Sequence, residues 1–358
     1  MIRKYFSTID HYDMKIQRLV PITIWIALIM ISVLFFWGCR EDRDGARPIP
    51  DVSPVEVDIV RIDQLLCDSN GPFSTEKMMQ DHPIFSDVYF HQIIYPQNTP
   101  SIDLNQLVHN FCTAPAIRHL RDTARFIFPN LDQLEQELGR AFGYFQFYFP
   151  DLPIPQVYTY VSEFGIGTFT IDTRVLGIGL DFFLGAQYPY YDPAVFPNYM
   201  VRTMTPEYIT GTAIQALSQA LLSPTTAGNM LDHMIYNGKT IYIASRLLPW
   251  IPMNRICLYS PDQMGWVEDN EFQIWAYFLD LNNFYENDPR KFRKFVDPGP
   301  TTPGMPEQAP GRVANWIGYR IVEEYMDRHP EITLQELAAD SDFQKIMDQS
   351  RYKPRPHR

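Results

Sequence analysis

Val157-Tyr158-Thr159-Tyr160-Val161-Ser162-Glu163-Phe164 and Val175-Leu176-Gly177-Ile178-Gly179-Leu180-Asp181-Phe182-Phe183-Leu184 are two apolar runs that lead into Pro206-Glu207-Tyr208-Ile209-Thr210-Gly211-Thr212-Ala213-Ile214-Gln215-Ala216-Leu217-Ser218-Gln219-Ala220-Leu221-Leu222. The first two are rich in β-branched and aromatic residues and read as strands. Gly165 and Gly167 mark a turn, and Gly177 and Gly179 mark places where something comes close to the backbone. Pro206 opens a helix with Glu207 in its first turn, where the dipole favours an acid. Gly211, Ala213, Ala216 and Ala220 let that helix pack tightly. The expected fold is α+β and mostly helical, with a small antiparallel or mixed sheet on a buried central helix.

Upstream, a short strand is expected near residues 56–62. Ser74 and Ser101 read as helix N-caps, and Leu104, Leu107, Val108 and Phe111 repeat at helical spacing. Asn130 opens a long helix that ends in the aromatic run 144–150, expected to serve core or inter-lobe packing more than a substrate platform. Downstream, helices are expected over 229–235, 238–242 and 270–278. A Pro-rich loop over 296–310 and a helix over 311–328 follow, and Thr333 caps a last helical pair. The organisation is a helical lobe over 55–150 and a sheet-plus-helix body over 151–350, together one globular domain, with a loose tail over 351–358.

Residues 20–37 are apolar except for Thr23 and Ser32, follow Lys15 and Arg18, and precede Gly38-Cys39. Basic, apolar and small residues in that order form a secretory signal over 1–38. Phe36-Trp37-Gly38-Cys39 looks like a lipobox that makes Cys39 the acylated, palmitate-bearing N-terminus. The competing reading is a transmembrane anchor, since 18 apolar residues are about the minimum span. Met14 is an alternative start. Residues 39–54 are charged and Pro-containing, as a tether from membrane lipid to a domain should be.

Removing residues 1–38 takes away four bases and two acids, leaving 26 Lys and Arg against 40 Asp and Glu, a net of −14. Such an acidic body argues against nucleic acid and against lying flat on anionic lipid. Of the four cysteines, Cys67, Cys112 and Cys257 remain after lipidation. A Cys67–Cys112 bridge is conceivable, but their apolar neighbours favour buried thiols.

The chain carries no His-Glu-x-x-His, and no two of its eight histidines are three or four apart. A metal site assembled from His109, His119 and His233 with an acid is only a formal alternative. No Gly-x-Ser-x-Gly elbow or phosphate-binding loop occurs, so no cofactor is expected. Glu163, Asp181, Glu207 and Glu271 are the acids that could share a cleft, set against the ordinary fate of carboxylates as solvated or capping groups.

The motifs Leu138-Gly139-Arg140-Ala141-Phe142, Tyr158-Thr159-Tyr160-Val161-Ser162-Glu163-Phe164, Leu176-Gly177-Ile178-Gly179-Leu180-Asp181, Gly238-Lys239, Asn270-Glu271-x-x-Ile274-Trp275 and Pro310-Gly311-Arg312-Val313 together resemble the gliding motility-associated lipoprotein GldB family. The resemblance covers nearly all of the mature chain. It implies an envelope accessory of a gliding and secretion apparatus, lipid-anchored after export, with envelope proteins as partners. The strand, strand, helix order also resembles the core of zincin-like peptidases. At the positions where a zincin holds its metal this chain offers Ile214, Gln215, Ser218 and Asn237, so a shared fold implies a dead enzyme. Three functions remain: a non-catalytic partner-binding lipoprotein, a hydrolase built on the acids and His233, and a solute- or glycan-binding lipoprotein using the aromatic loop 187–199. For the first, the strand over 175–184, the loop residues Tyr190, Tyr191 and Phe196, and the Pro206 helix are expected to form one docking surface beside a free sheet edge.

Overall fold

Four strands form one sheet in the order β1-β2-β4-β3, where β1 is Ile59–Arg61, β2 is Gln156–Tyr160, β3 is Thr168–Ile171 and β4 is Val175–Gly179. They belong to a computed structural model that describes residues 47–68, 75–95, 102–224, 228–280 and 283–356. The signal segment, Cys39, Ser74 and Ser101 lie outside the described residues. β1, β2 and β4 run parallel, and β3 returns antiparallel to β4. The turn expected at Gly165 and Gly167 thus leads into an additional strand, and the sheet is mixed.

Both faces of the sheet are covered, because successive side chains of β2 point to opposite sides. Val157 and Val161 join Leu176 and Ile178 in the main core, whereas Tyr158 and Tyr160 enter a second cluster with Val175. That second cluster is closed by α1 (Pro83–Val88), whose Phe85 ring stacks on Tyr158 with centroids 4.2 Å apart. It is also closed by α2 (Leu104–Thr113), where Asp103 is the cap and its carboxylate accepts the Asn105 and Gln106 N–H groups. Gly177 lies beneath the Phe169 ring; a Cβ there would stand 2.4 Å from a ring carbon.

Cys67 and Cys112, expected as free buried thiols, are joined, with Cα atoms 5.4 Å apart. The end of α2 returns to the chain leaving β1, so the bridge ties the second cluster to the sheet. Cys257 is free and buried, and burial pushes its thiol up to about 12.

The main core gathers on α3 (Asp132–Tyr148), α4 (Ile209–Ala220), α5 (Met230–Leu247), α6 (Glu271–Asp280) and α7 (Val313–Arg328). The helices expected over 229–235 and 238–242 are one helix, α5, opened by a capping box between Asn229 and Asp232. α5 and α7 cross at backbone contact: a Cβ on Gly238 would lie 2.2 Å from the Gly318 carbonyl carbon. One residue on, Lys239 is 1% exposed and donates to the Ala338 and Asp340 carbonyls at the end of α8 (Leu334–Ala339). Burial lowers its ammonium to about 8.

An extended strap precedes β1. Gly139 and Gly143 leave α3 a bare track on which it lies, with the Val55 N–H donating to the Gly139 carbonyl at 2.9 Å. Upstream, the Arg47 guanidinium donates to the carbonyls of Met326, His329 and Ile332. Of the tether expected over 39–54, residues 47–54 therefore lie on the body. Among the described residues no helix is long and apolar enough to cross a membrane.

Candidate functional site

β4 ends in a turn, Leu180–Phe183, that places Asp181 completely out of solvent. One oxygen, Oδ2, accepts the Ser162 N–H at 3.0 Å, the Phe164 N–H at 2.8 Å and the Ser162 hydroxyl at 3.2 Å. Glu163 and Phe164 reach these positions with φ of 55° and 62°, so two successive left-handed residues wrap their amides around a carboxylate. The other oxygen, Oδ1, has no hydrogen-bond partner among the described residues. Burial outweighs the hydrogen bonds and raises the carboxyl to about 6. Asp181 thus organises a loop; Glu163, between the Ser162 and Phe164 amides it binds, is exposed.

The other expected acids lie elsewhere. Glu207 is exposed in a hollow of about 480 Å³ shared with Glu137 and Arg255, where Glu137 accepts from Thr210 and Gln133. Glu271 pairs with Arg320 at 3.1 Å and accepts from the Tyr352 hydroxyl at 2.8 Å. His233 packs on the Phe292 ring, while His109 and His119 are exposed on the N-terminal helices. Among the described residues, no group of three or more His, Cys, Asp or Glu could hold a metal ion.

The expected docking surface is corrected in two respects. β4 is an interior strand hydrogen-bonded on both sides, so residues 175–184 offer no free edge. Tyr191 and Phe196 are 5% and 8% exposed, packed on one another and on Phe164. The Tyr191 hydroxyl donates to the Asp181 carbonyl and accepts the Leu184 N–H, both at 2.9 Å. The loop is therefore mainly a cover for the core, and of these three aromatics only Tyr190, at 60%, faces solvent.

Gln215 and Asn237 are brought together. With Gln219, Asn315, Arg312 and Trp316 they line a hollow of about 250 Å³ where α4, α5 and the start of α7 meet. Asn237 donates to the Asn315 side-chain oxygen at 3.0 Å, Asn315 donates to the Val296 carbonyl at 3.0 Å, and Gln215 donates to the Ile256 carbonyl. A second hollow of about 190 Å³ shares Tyr259, Pro298 and Arg312 with the first and adds Phe182, Met200 and Met204. Arg312 is the N-cap of α7, left-handed at φ 64°, with no side chain capping the helix. Its guanidinium donates to the Leu258 carbonyl at 2.9 Å. The Tyr259 hydroxyl donates to the Gly311 carbonyl at 2.9 Å and fixes the same corner. Of these groups the strand, strand, helix order pointed to Gln215 and Asn237. Arg312 was visible only as part of the Pro310-Gly311-Arg312-Val313 motif, and nothing local marked Asn315 or Trp316.

A family model described as gliding motility protein GldB matches residues 45–354. The chain belongs to the GldB family. The match starts just ahead of Arg47, so the strap on α3 belongs to the family region along with the sheet, the Asp181 loop and the hollows at Arg312. No curated protein and no solved structure matches the chain. The zincin-like core implied by the strand and helix order is not supported by these comparisons. This GldB-family chain is thus related to gliding motility lipoproteins of the cell envelope.

Proposed function

We propose that this GldB-family protein is a lipid-anchored, non-catalytic component of an envelope gliding and secretion apparatus that works by holding a partner protein in the paired hollows at Arg312. The observation that carries this reading is the lining of the first hollow. Its polar groups are carboxamides, hydroxyls, an indole, one guanidinium and the thiol of Cys257, which burial pushes up to about 12 and so keeps protonated, with a single carboxylate, Asp297, at the exposed rim. Amides and hydroxyls complement the backbone groups of a bound chain; general acid–base chemistry needs a pair of titrating groups near neutrality within reach of one bond. Docked from Arg47, the body hangs on residues 39–46, which span at most about 29 Å when fully extended. Such a leash favours partners in or near the same membrane.

A photo-cross-linker at Gln219 or Asp297 in the membrane-bound protein tests this, with one at Asp348, on the far C-terminal helix, as the control. An adduct with one protein of the motility machinery, formed from the groove and not from Asp348, is the expected result. Metal- or acid-dependent turnover of peptides by the purified protein, abolished by changes in the groove, would replace this reading with the hydrolase.

A further inference from the structure

We infer that the Arg312 groove recognises a free C-terminal carboxylate of a partner chain, with the adjoining Met200 and Met204 hollow receiving the side chain next to it. This rests on the partner-binding reading above and names the chemistry by which the partner is held.

Three features converge on an anion at this corner. Arg312 is half-buried, lines both hollows, and makes no ion pair with any described residue; its recorded hydrogen bond goes to a neutral carbonyl. A guanidinium presents a planar fork of donors matched to a carboxylate, and leaving it without an anion in a partly desolvated place is costly. Next, α7 is a 16-residue helix that starts at Val313, and its N-cap Arg312 makes no side-chain capping bond, so the positive end of its dipole meets the same corner. Third, Trp316, one turn into α7 and lining the first hollow, is 5% exposed with an indole N–H that has no acceptor among the described residues. Positive charge, a positive helix end and an unused donor share the start of one helix.

The surroundings choose among carboxylates. Gln219, Asn237 and Asn315 supply amide groups suited to the peptide units that precede a chain terminus, as in backbone capture of chain ends. On the other side of Arg312 the wall changes to Phe182, Met200, Met204 and Leu258, a largely apolar hollow of about 190 Å³ with Thr203 and Gln263 among its neutral polar groups. That volume suits one aliphatic side chain, and methionines adapt to its shape. A free amino acid would use the charge and leave the amide side empty.

The probe is a fluorescein-labelled tetrapeptide, Gly-Ala-Ala-Leu with a free carboxylate, titrated with the full-length protein in detergent and followed by anisotropy; its C-terminal amide is the comparison. The acid is expected to bind at least tenfold more tightly than the amide. Arg312→Gln should abolish that preference and Arg312→Lys should restore part of it. Gln219 is exposed at the rim, so Gln219→Glu should fold normally and weaken the acid at least tenfold by repulsion, which keeps the test decisive if Arg312→Gln misfolds. Equal affinity for acid and amide, absence of binding to the folded protein, or indifference to Gln219→Glu overturns the inference. If cross-linking from the groove persists under any of those outcomes, the partner-binding reading stands and only the carboxylate chemistry falls. Loss of both removes the groove altogether.

Discussion

Asp181 shows how a single buried acid can organise a loop. Its carboxyl titrates near 6 because burial dominates, yet its accepted bonds come from the loop it holds: the Ser162 N–H and hydroxyl and the Phe164 N–H. The native pKa lies above the ordinary carboxylate value of 3.8. Between those two pH values the folded protein keeps a proton that the unfolded chain has released. This contribution to stability is therefore full below about pH 4 and is lost as pH rises through 6. Asp181→Asn keeps an acceptor for the Ser162 and Phe164 amides and cannot titrate. Urea unfolding at pH 4.5 and 7.5 should show the wild type gaining on the variant by about 1–3 kcal/mol at the lower pH. Asp181→Ala should cost about 2–4 kcal/mol at either pH, since two buried amides lose their acceptor. A pH-independent gap between wild type and the Asn variant would mean that the carboxyl titrates in the ordinary range. Lys239 makes the matching case for a cation: its two recorded acceptors are carbonyls at the end of α8. Lys239→Met should cost about 1–3 kcal/mol in thermal unfolding through those unpaired carbonyls.

At the scale of elements, glycines set how closely neighbours approach. Gly238 and Gly318 bring α5 and α7 to backbone contact, and a Cβ on Gly318 would lie 1.9 Å from the Met234 carbonyl oxygen. That crossing fixes the distance between Asn237 on α5 and Asn315 on α7, whose side chains join across the hollow. Gly238→Ala should therefore destabilise the protein by about 3 kcal/mol or more, because backbone cannot yield as a side chain does. It should also open the groove, seen as faster hydrogen exchange at the start of α7. Gly265 offers the control: a Cβ there meets nothing within 4 Å, so Gly265→Ala within its helix should be neutral or slightly stabilising. Equal effects at the two positions would show that the α5–α7 crossing can relax.

For the whole molecule, the bridge and the anchor give the two remaining tests. The Cys67–Cys112 link closes a segment with a sequence separation of 45, and removing it should cost up to about 4 kcal/mol by the chain-entropy relation. Thermal unfolding with and without reductant measures this, with Cys67→Ser plus Cys112→Ser as the matched variant. Cys39→Ser should release the protein from membranes into the soluble fraction; continued membrane retention would make residues 20–37 a spanning anchor. The sequence by itself determined the mixed α+β character, the buried helix after Pro206 and the family, because each depends on local periodicity, small-residue placement or motif order. Tertiary structure decided what distance along the chain conceals. The interior position of β4 follows from the return of β3, which no alternation of residues announced. The pairing of Cys67 with Cys112 follows from where α2 ends. The burial of Tyr191 follows from hydrogen bonds to Asp181 and Leu184. Arg312, Asn315, Asn237 and Gln215 become one site only because α4, α5 and α7 converge. Sequence spacing records which residues share a helix face; it carries no record of which faces meet.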